Sequence, residues 1–400
     1  MNGRLSTAGR ADWDCDVAII GGGGMGSAAA YFLKALGGPE LNVSVFEPDP
    51  TYARAATALA AGGIRQQFST PENVLMSLFG YRFFESIGET LAVDGEAPSI
   101  GLTPRPYLRL ADPSGIEALQ RDFDLQSRLG AAPEWLARTD LARRFPWMKT
   151  DDVGAAIIGG PCEGMFDPYA MLQAFRRKSR SLGVRYRAAA VVGVDLEDRR
   201  ITSLRLSDGG AVRCGAAINA AGPAAARVAA LAGVELPVEA IKAQSFAFRA
   251  ARPIERCPIV LDRVQGLQFK PEGDLYVCAI PGGARPTHDG DFDPKPELFE
   301  AEAWPRLAAR VPQFETLRLV RTWIGHIELN SFDANPVLGL HPERPNLYFV
   351  TGFSGHGAQH VPAAGRAIAE LFLHGEYRSL DLSRFSYERI LRKEPVREDV

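Results

Sequence analysis

Cysteine is scarce in this chain. Its five residues, Cys15, Cys162, Cys214, Cys257 and Cys278, are spread singly and none forms a CxxC pair. That pattern offers neither a zinc site nor a disulfide framework, so no metal is expected, and reduced thiols in a cytoplasmic protein are. Long apolar runs are missing too. A stretch such as Ala55 to Ile64 is short and glycine-interrupted, well below the roughly 20 residues that cross a bilayer, so no transmembrane segment is expected. Charge of one sign never accumulates: 45 basic residues face 48 acidic ones, a formal net charge of −3. Without a basic block to follow a phosphate backbone, nucleic acid is not an expected partner. Residues Met1 to Trp13 carry two arginines but no apolar core, so they read as a mobile terminus rather than a secretion signal.

What is present is ample apolar material. At 400 residues and 46% hydrophobic, the chain is long enough for two domains. Cys15 to Ile20 (CDVAII) is a β-branched run ending in four glycines, Met25 to Leu36 reads as an alanine-rich helix, and Val43 to Phe46 is a second strand. Together they form a β-α-β unit, which makes the opening α/β. Further on, Phe166 to Leu182 reads as a helix behind Asp167-Pro168, Val184 to Val194 as one extended stretch, and Val212 to Ala221 as a strand. Asn346 to Thr351 and Pro362 to Leu373 supply a closing strand and helix. Leu91 to Asp152, richer in proline and charge, and Val238 to Thr322, with strand-like pieces at Ser245 to Arg249 and Leu275 to Ile280, read as a second, sheet-based domain.

Gly21-x-Gly23-x-x-Gly26 sits between the first strand and the helix. Glycines there permit a tight turn, close approach of a pyrophosphate and close helix-strand packing, with the helix N-terminus facing the negative charge. With one residue in ten being glycine, such a triplet arises about 0.4 times by chance in this length, so its setting decides. Glu47 ends the second strand about 20 residues after the last glycine, where a carboxylate accepts hydrogen bonds from ribose hydroxyls. Gly21, Gly23, Gly24, Met25, Gly26 and Glu47 are therefore assigned to an adenine dinucleotide, FAD or NAD.

Three segments resemble the D-amino-acid oxidase superfamily: Ile218 to Gly222 (INAAG), Gly352 to Gly357 (GFSGHG) with Pro362 to Glu370, and Gly62 to Phe68 (GGIRQQF). The resemblance covers nearly the whole chain. It is closest to monomeric sarcosine oxidases and to the mitochondrial FAD-dependent oxidoreductase-domain proteins linked to assembly of respiratory complex I, the latter likeness extending through Trp304 to Gly325 and Asn330 to Asp333. It implies FAD, a Rossmann-type FAD-binding domain built from residues 14–90, 155–237 and 325–400, and a mostly antiparallel-sheet substrate domain from 91–154 and 238–324. It also adds Gly62, Gly63, Ile64, Val192, Ala221, Gly222, Gly355, His356, Gly357, Ala358 and Gln359 to the cofactor site.

For catalysis the resemblance implies Arg65 as the anchor of a substrate carboxylate, a task suited to a guanidinium, against the competing role of a structural ion pair. His356 would lie close to the flavin ring. Gln359 stands where sarcosine oxidases carry a carboxylate-binding lysine. Trp323-x-Gly325-His326 is similar to the W-x-G-x-R-P segment of glycine and D-amino-acid oxidases, but Ile327 replaces their arginine, leaving Arg65 to work alone or with Arg285. His326 stands where sarcosine oxidases attach flavin through cysteine, so non-covalent FAD is expected. Tyr276 falls near their oxygen-activating lysine, which makes a dehydrogenase as plausible as an oxidase. Glu328 reads foremost as a surface or ion-pair residue. The function implied is hydride transfer to flavin from the carbon beside an amine, as in an amino acid, with oxygen or a respiratory or artificial acceptor taking the electrons. Two alternatives stand beside it: a 2-hydroxy-acid dehydrogenase using His356 or His326 as base, and an assembly flavoprotein with structural FAD.

Overall fold

The computed structural model describes residues 14–280, 285–287 and 290–398, so the N-terminal stretch expected to be mobile lies outside the described residues. Strand Cys15–Ile20 is buried along its whole length, as a β-branched segment in a sheet covered on both faces should be. It pairs in parallel with Val43–Phe46 on one side and Ala211–Asn219 on the other. Arg185–Arg187 extends the sheet beyond Val43–Phe46, and Arg344–Thr351 lies parallel beside the last residues of Ala211–Asn219. Antiparallel strands Val191–Glu197, Arg200–Leu206 and Val337–His341 complete eight strands. The extended run expected over Val184 to Val194 is thus two strands on opposite edges of one sheet. Its composition is uniformly strand-like, and nothing local records that the chain changes edges.

Helix Gly24–Gly37 covers this sheet and packs against helix Gly357–His374. Small residues set their distance: a Cβ on Gly365 would lie 2.6 Å from Ala28 Cβ. The closing helix starts five residues before the expected Pro362, which sits in its interior and forgoes one backbone hydrogen bond there.

The second sheet has nine strands and is antiparallel except where Ile259–Asp262 lies along Tyr107–Ala111. Its spine is Val238–Ala250 paired with the 14-residue strand Leu317–Asn330. Ala155–Ile158 pairs with Tyr107–Ala111 and so belongs to this sheet, against the boundary expected at residue 155. Leu317–Asn330 likewise runs unbroken through the boundary expected at 325. Apolar strands look alike in either sheet, so sequence could not mark these crossings. Phe246, Phe248, Phe269, Phe299 and Phe314 fill the core beneath. Fully buried Arg310 is neutralised there by Asp262 at 2.6 Å and Asp152 at 2.7 Å. Among the described residues no helix is long and apolar enough to cross a membrane.

Candidate functional site

Parallel strands end on the same side, so the segments after Ile20, Phe46, Asn219 and Thr351 form a row. A cavity of about 570 Å³ opens along it. Gly21, Gly23, Gly24, Met25, Glu47, Val192, Ala221 and Gly222 line it, with Val192 at the rim, 56% exposed. Gly26 does not. Its role is packing, since a Cβ there would stand 1.9 Å from the Gly21 carbonyl oxygen. A Cβ on Gly23, by contrast, would meet only Thr57 Oγ1 at 3.8 Å, so the wall is open at that point.

The helix that starts at Gly24 has no acidic residue in its first turn, and its leading N–H groups have no intrahelical acceptor. Thr57 Oγ1 accepts that of Gly24 at 3.1 Å. The positive end of the helix therefore faces the cavity, which suits a pyrophosphate. Glu47 accepts the Gly22 amide at one oxygen and the Asp49 amide at the other, both at 2.9 Å. Burial raises its pKa while these two amides oppose the shift. Each oxygen keeps a second lone pair for a ribose hydroxyl. An open glycine wall, a helix end and a carboxylate one strand away fit an adenine dinucleotide. Sequence reading missed Thr57 and Tyr52, whose hydroxyl would lie 2.8 Å from a Cβ on Gly22; no local pattern identifies such second neighbours.

The other expected residues, His326 apart, lie off the cavity wall, with Arg65, His356 and Gln359 in a packed polar cluster. Gly62 and Gly63 are required by contact: a Cβ on the first would meet Phe166 O at 2.1 Å and on the second Tyr107 Oη at 1.6 Å. Ile64 pairs with Gly164 in a short strand. The Arg65 guanidinium lies over the Phe68 ring, 4.4 Å from its centroid, and donates to Gln67 O at 3.0 Å. Its backbone N–H donates to Gln359 Oε1 at 2.8 Å, joining two positions 294 residues apart. Burial lowers the Arg65 pKa. Among the described residues no carboxylate lies within ion-pair distance of it. Nearby Glu163 instead accepts the Gln66 and Tyr107 amides, and burial lifts its pKa to about 7.

His356 precedes helix Gly357–His374, and Gly357 lies close to Met25, with 3.4 Å between a Cβ there and Met25 Cε. The start of helix Gly357–His374 thereby adjoins the helix of the cavity. His356 contacts His360 Nδ1 to Nδ1 at 3.3 Å and the Ala334 carbonyl at 3.4 Å, and Ser77 Oγ is 2.9 Å from His360 Nε2. Burial lowers the His356 pKa to about 4 and that of His360 well below the ordinary value. With folded pKa values below the unfolded 6.5, both contribute stability that is complete above pH 6.5 and lost as pH falls, for His356 through about 4. His356→Gln should remove about 1–3 kcal/mol of that acid-induced loss, read from urea unfolding at pH 6.5, 5 and 4. An unchanged pH slope would place the His356 titration elsewhere.

His326 stands apart from this cluster, on the cavity wall. Its Nε2 lies 2.7 Å from the Asp291 carbonyl oxygen, which can only accept, so Nε2 carries the proton. Phe292 stacks on it at 4.2 Å. Two expectations need correction. Tyr276 faces the core of the second sheet, against Phe248 and Phe314, with its hydroxyl accepting the Ile254 amide; it does not face the cavity, because strand alternation turns it inward. Glu328 is neither a surface residue nor ion-paired among the described residues; it lines the cavity and binds Thr351 Oγ1 at 2.7 Å. The Arg285 side chain lies outside the described residues.

The family model of DAO, the FAD dependent oxidoreductases, matches residues 16–371. The chain belongs to this family. FAD-dependent oxidoreductase domain-containing protein 1 of Xenopus laevis is 38% identical over 419 residues, 96% of this chain and 84% of that protein. Glycine oxidase of Geobacillus kaustophilus is 26% identical over 94% of this chain and 98% of its own. Among solved structures, L-proline dehydrogenase from P. horikoshii superposes with a TM-score of 0.83 at 26% identity, covering 95% of this chain and 99% of that one. As a DAO family member the chain is an FAD-dependent oxidoreductase whose sheets have the arrangement of its relatives.

Proposed function

We propose that this DAO family protein holds FAD non-covalently in the cavity and oxidises an amino acid or N-substituted amino acid at the carbon beside nitrogen. The first sheet and its helices hold the cofactor, and the second sheet closes the substrate side. The observation that carries the reading is Arg65: a cation whose surroundings disfavour its charge, pinned by Gln67, Phe68 and Gln359, with no carboxylate partner among the described residues. An incoming carboxylate supplies the missing partner. Bound FAD supplies the hydride acceptor, so that the amine becomes an imine and then hydrolyses. The chain itself orients and desolvates. Arg65 fixes the acid end of the substrate, Gln359 fixes Arg65, and the start of helix Gly357–His374 presents its positive end.

The relatives named as glycine oxidase and L-proline dehydrogenase support an amino-acid substrate. A 2-hydroxy acid would in addition need a base for its hydroxyl proton. Both ring nitrogens of His356 are engaged and burial holds its pKa low, which leaves Nδ1 of His326 as the one imidazole nitrogen on the cavity wall that a hydroxy acid would need as base. An amine bound as the free base needs no such group. Product analysis tests the choice: ammonia or an amine should appear in proportion to flavin reduced, and turnover of hydroxy acids without it would contradict the proposal.

The cofactor half is tested separately. Glu47→Ala should weaken FAD binding about 10–100-fold through lost charged hydrogen bonds to the ribose, read by quenching of flavin fluorescence. Unchanged affinity would remove Glu47 from the ribose.

A further inference from the structure

The cavity has a second carboxylate, and the sheet fixes its distance from the first. Val43–Phe46, Cys15–Ile20, Ala211–Asn219 and Arg344–Thr351 lie side by side and parallel. Glu47 follows the first of them, the glycine turn the second, and Ala220 to Gly222 the third. Thr351, last residue of the fourth, donates its hydroxyl to Glu328 Oε2. Three strand steps therefore separate the two carboxylates, roughly 14 Å, with the helix N-terminus between them.

Glu328 reaches this place from the other sheet. It projects from Leu317–Asn330 on the same strand face as His326, two residues earlier, and both line the cavity. Its Oε2 would be 3.9 Å from a Cβ on Gly222, the cavity-lining glycine of the third segment. The Thr351 hydroxyl donates to the carboxylate, and the amides of Gly352 and Phe353 favour its charge against the effect of burial, which makes it an oriented acceptor. Its remaining lone pairs call for a neutral donor such as a hydroxyl, since a phosphate would be repelled. Glu47 at the other end is likewise held by neutral donors, here two amides, and lines the cavity with lone pairs to spare.

A ligand with hydroxyls on both sides of a pyrophosphate matches such a pair of carboxylates flanking a helix end. FAD is one, with its adenosine ribose on one side and its ribityl chain on the other. Resting on the reading that FAD occupies this cavity, we infer that Glu328 accepts a hydrogen bond from a ribityl hydroxyl and so anchors the flavin half, as Glu47 anchors the adenosine half.

The two halves separate experimentally, because ADP carries the ribose and pyrophosphate but no ribityl chain. FAD affinity of the full-length chain is measured by flavin fluorescence quenching, and ADP affinity by displacement of bound FAD. Glu328→Gln should weaken FAD about tenfold or more while leaving ADP within about twofold of wild type; Glu47→Ala should weaken both. Glu328→Asp, which keeps the charge but withdraws it by one methylene, should repeat the selective loss and serves if the Gln variant folds poorly. Wild-type chain that binds no FAD, or FAD that ADP cannot displace, would sink the cavity reading itself. Sound FAD binding in wild type, with either no loss in Glu328→Gln or equal losses for FAD and ADP, would overturn the ribityl assignment alone.

Discussion

Arg65→Met should lower the efficiency of flavin reduction by an amino-acid substrate about 10²-fold or more, equivalent to roughly 2.7 kcal/mol of transition-state binding. FAD content and thermal stability should stay near wild type. The guanidinium is held by a backbone carbonyl and a ring face rather than by an acid, so removing it breaks no direct ion pair, and buried Glu163, whose charge Arg65 favours from a distance, keeps its two amide donors. Methionine fills similar space over Phe68. The loss should depend on the substrate's carboxylate: an amine analogue lacking it should be poor for wild type and about equally poor for the variant, the cycle closing because the partner is already absent. Equal losses on both substrates, or a variant that sheds FAD, would put Arg65 in a structural role.

Gly26→Ala and Gly23→Ala should separate packing from cofactor contact in one turn of chain. At Gly26 the added Cβ would sit 1.9 Å from the Gly21 carbonyl oxygen, a backbone atom that cannot swing aside. The helix start must then move off the strand, costing about 1–3 kcal/mol or more and displacing the N–H groups that face the cavity. That variant should melt lower and purify nearly colourless. Gly23 has φ −60, open to alanine, and its Cβ would meet little but space. Its variant should melt like wild type yet bind FAD at least about tenfold more weakly, because the methyl projects where phosphates would approach. Normal FAD retention in Gly23→Ala would show that the cofactor does not pass this turn.

How much of this was written locally in the sequence depends on the range of the contact. Val43–Phe46 matched its expected bounds, and Cys15–Ile20 likewise, because each is a short β-branched run closed by turn residues. The turn at glycines 21, 23 and 26 and the place of Glu47 just after the second strand were legible because their spacing encodes a turn and a strand length. Family resemblance assigned Arg65 and Gln359 separately to a substrate carboxylate, and their direct contact was not legible, since no local rule joins residues 294 positions apart. Glu328 was misjudged for a physical reason: a lone acid in a strand-like segment looks like a surface residue, and only the pairing of Leu317–Asn330 with Val238–Ala250 and the approach of Thr351 carry it inside. Val184 to Val194 failed in the same way, as two strands of alike composition on opposite edges.

The most direct test of the central claim is anaerobic mixing of the purified yellow protein with a panel of small amino acids, including glycine, sarcosine and L-proline, while the long-wavelength flavin absorbance is followed. An FAD-dependent enzyme acting beside an amine nitrogen predicts that at least one of them bleaches the flavin at saturable rate, and that admitting an electron acceptor restores the colour. A flavin that stays yellow with every amine, yet bleaches with dithionite, would contradict that account and leave FAD as a structural element of the fold.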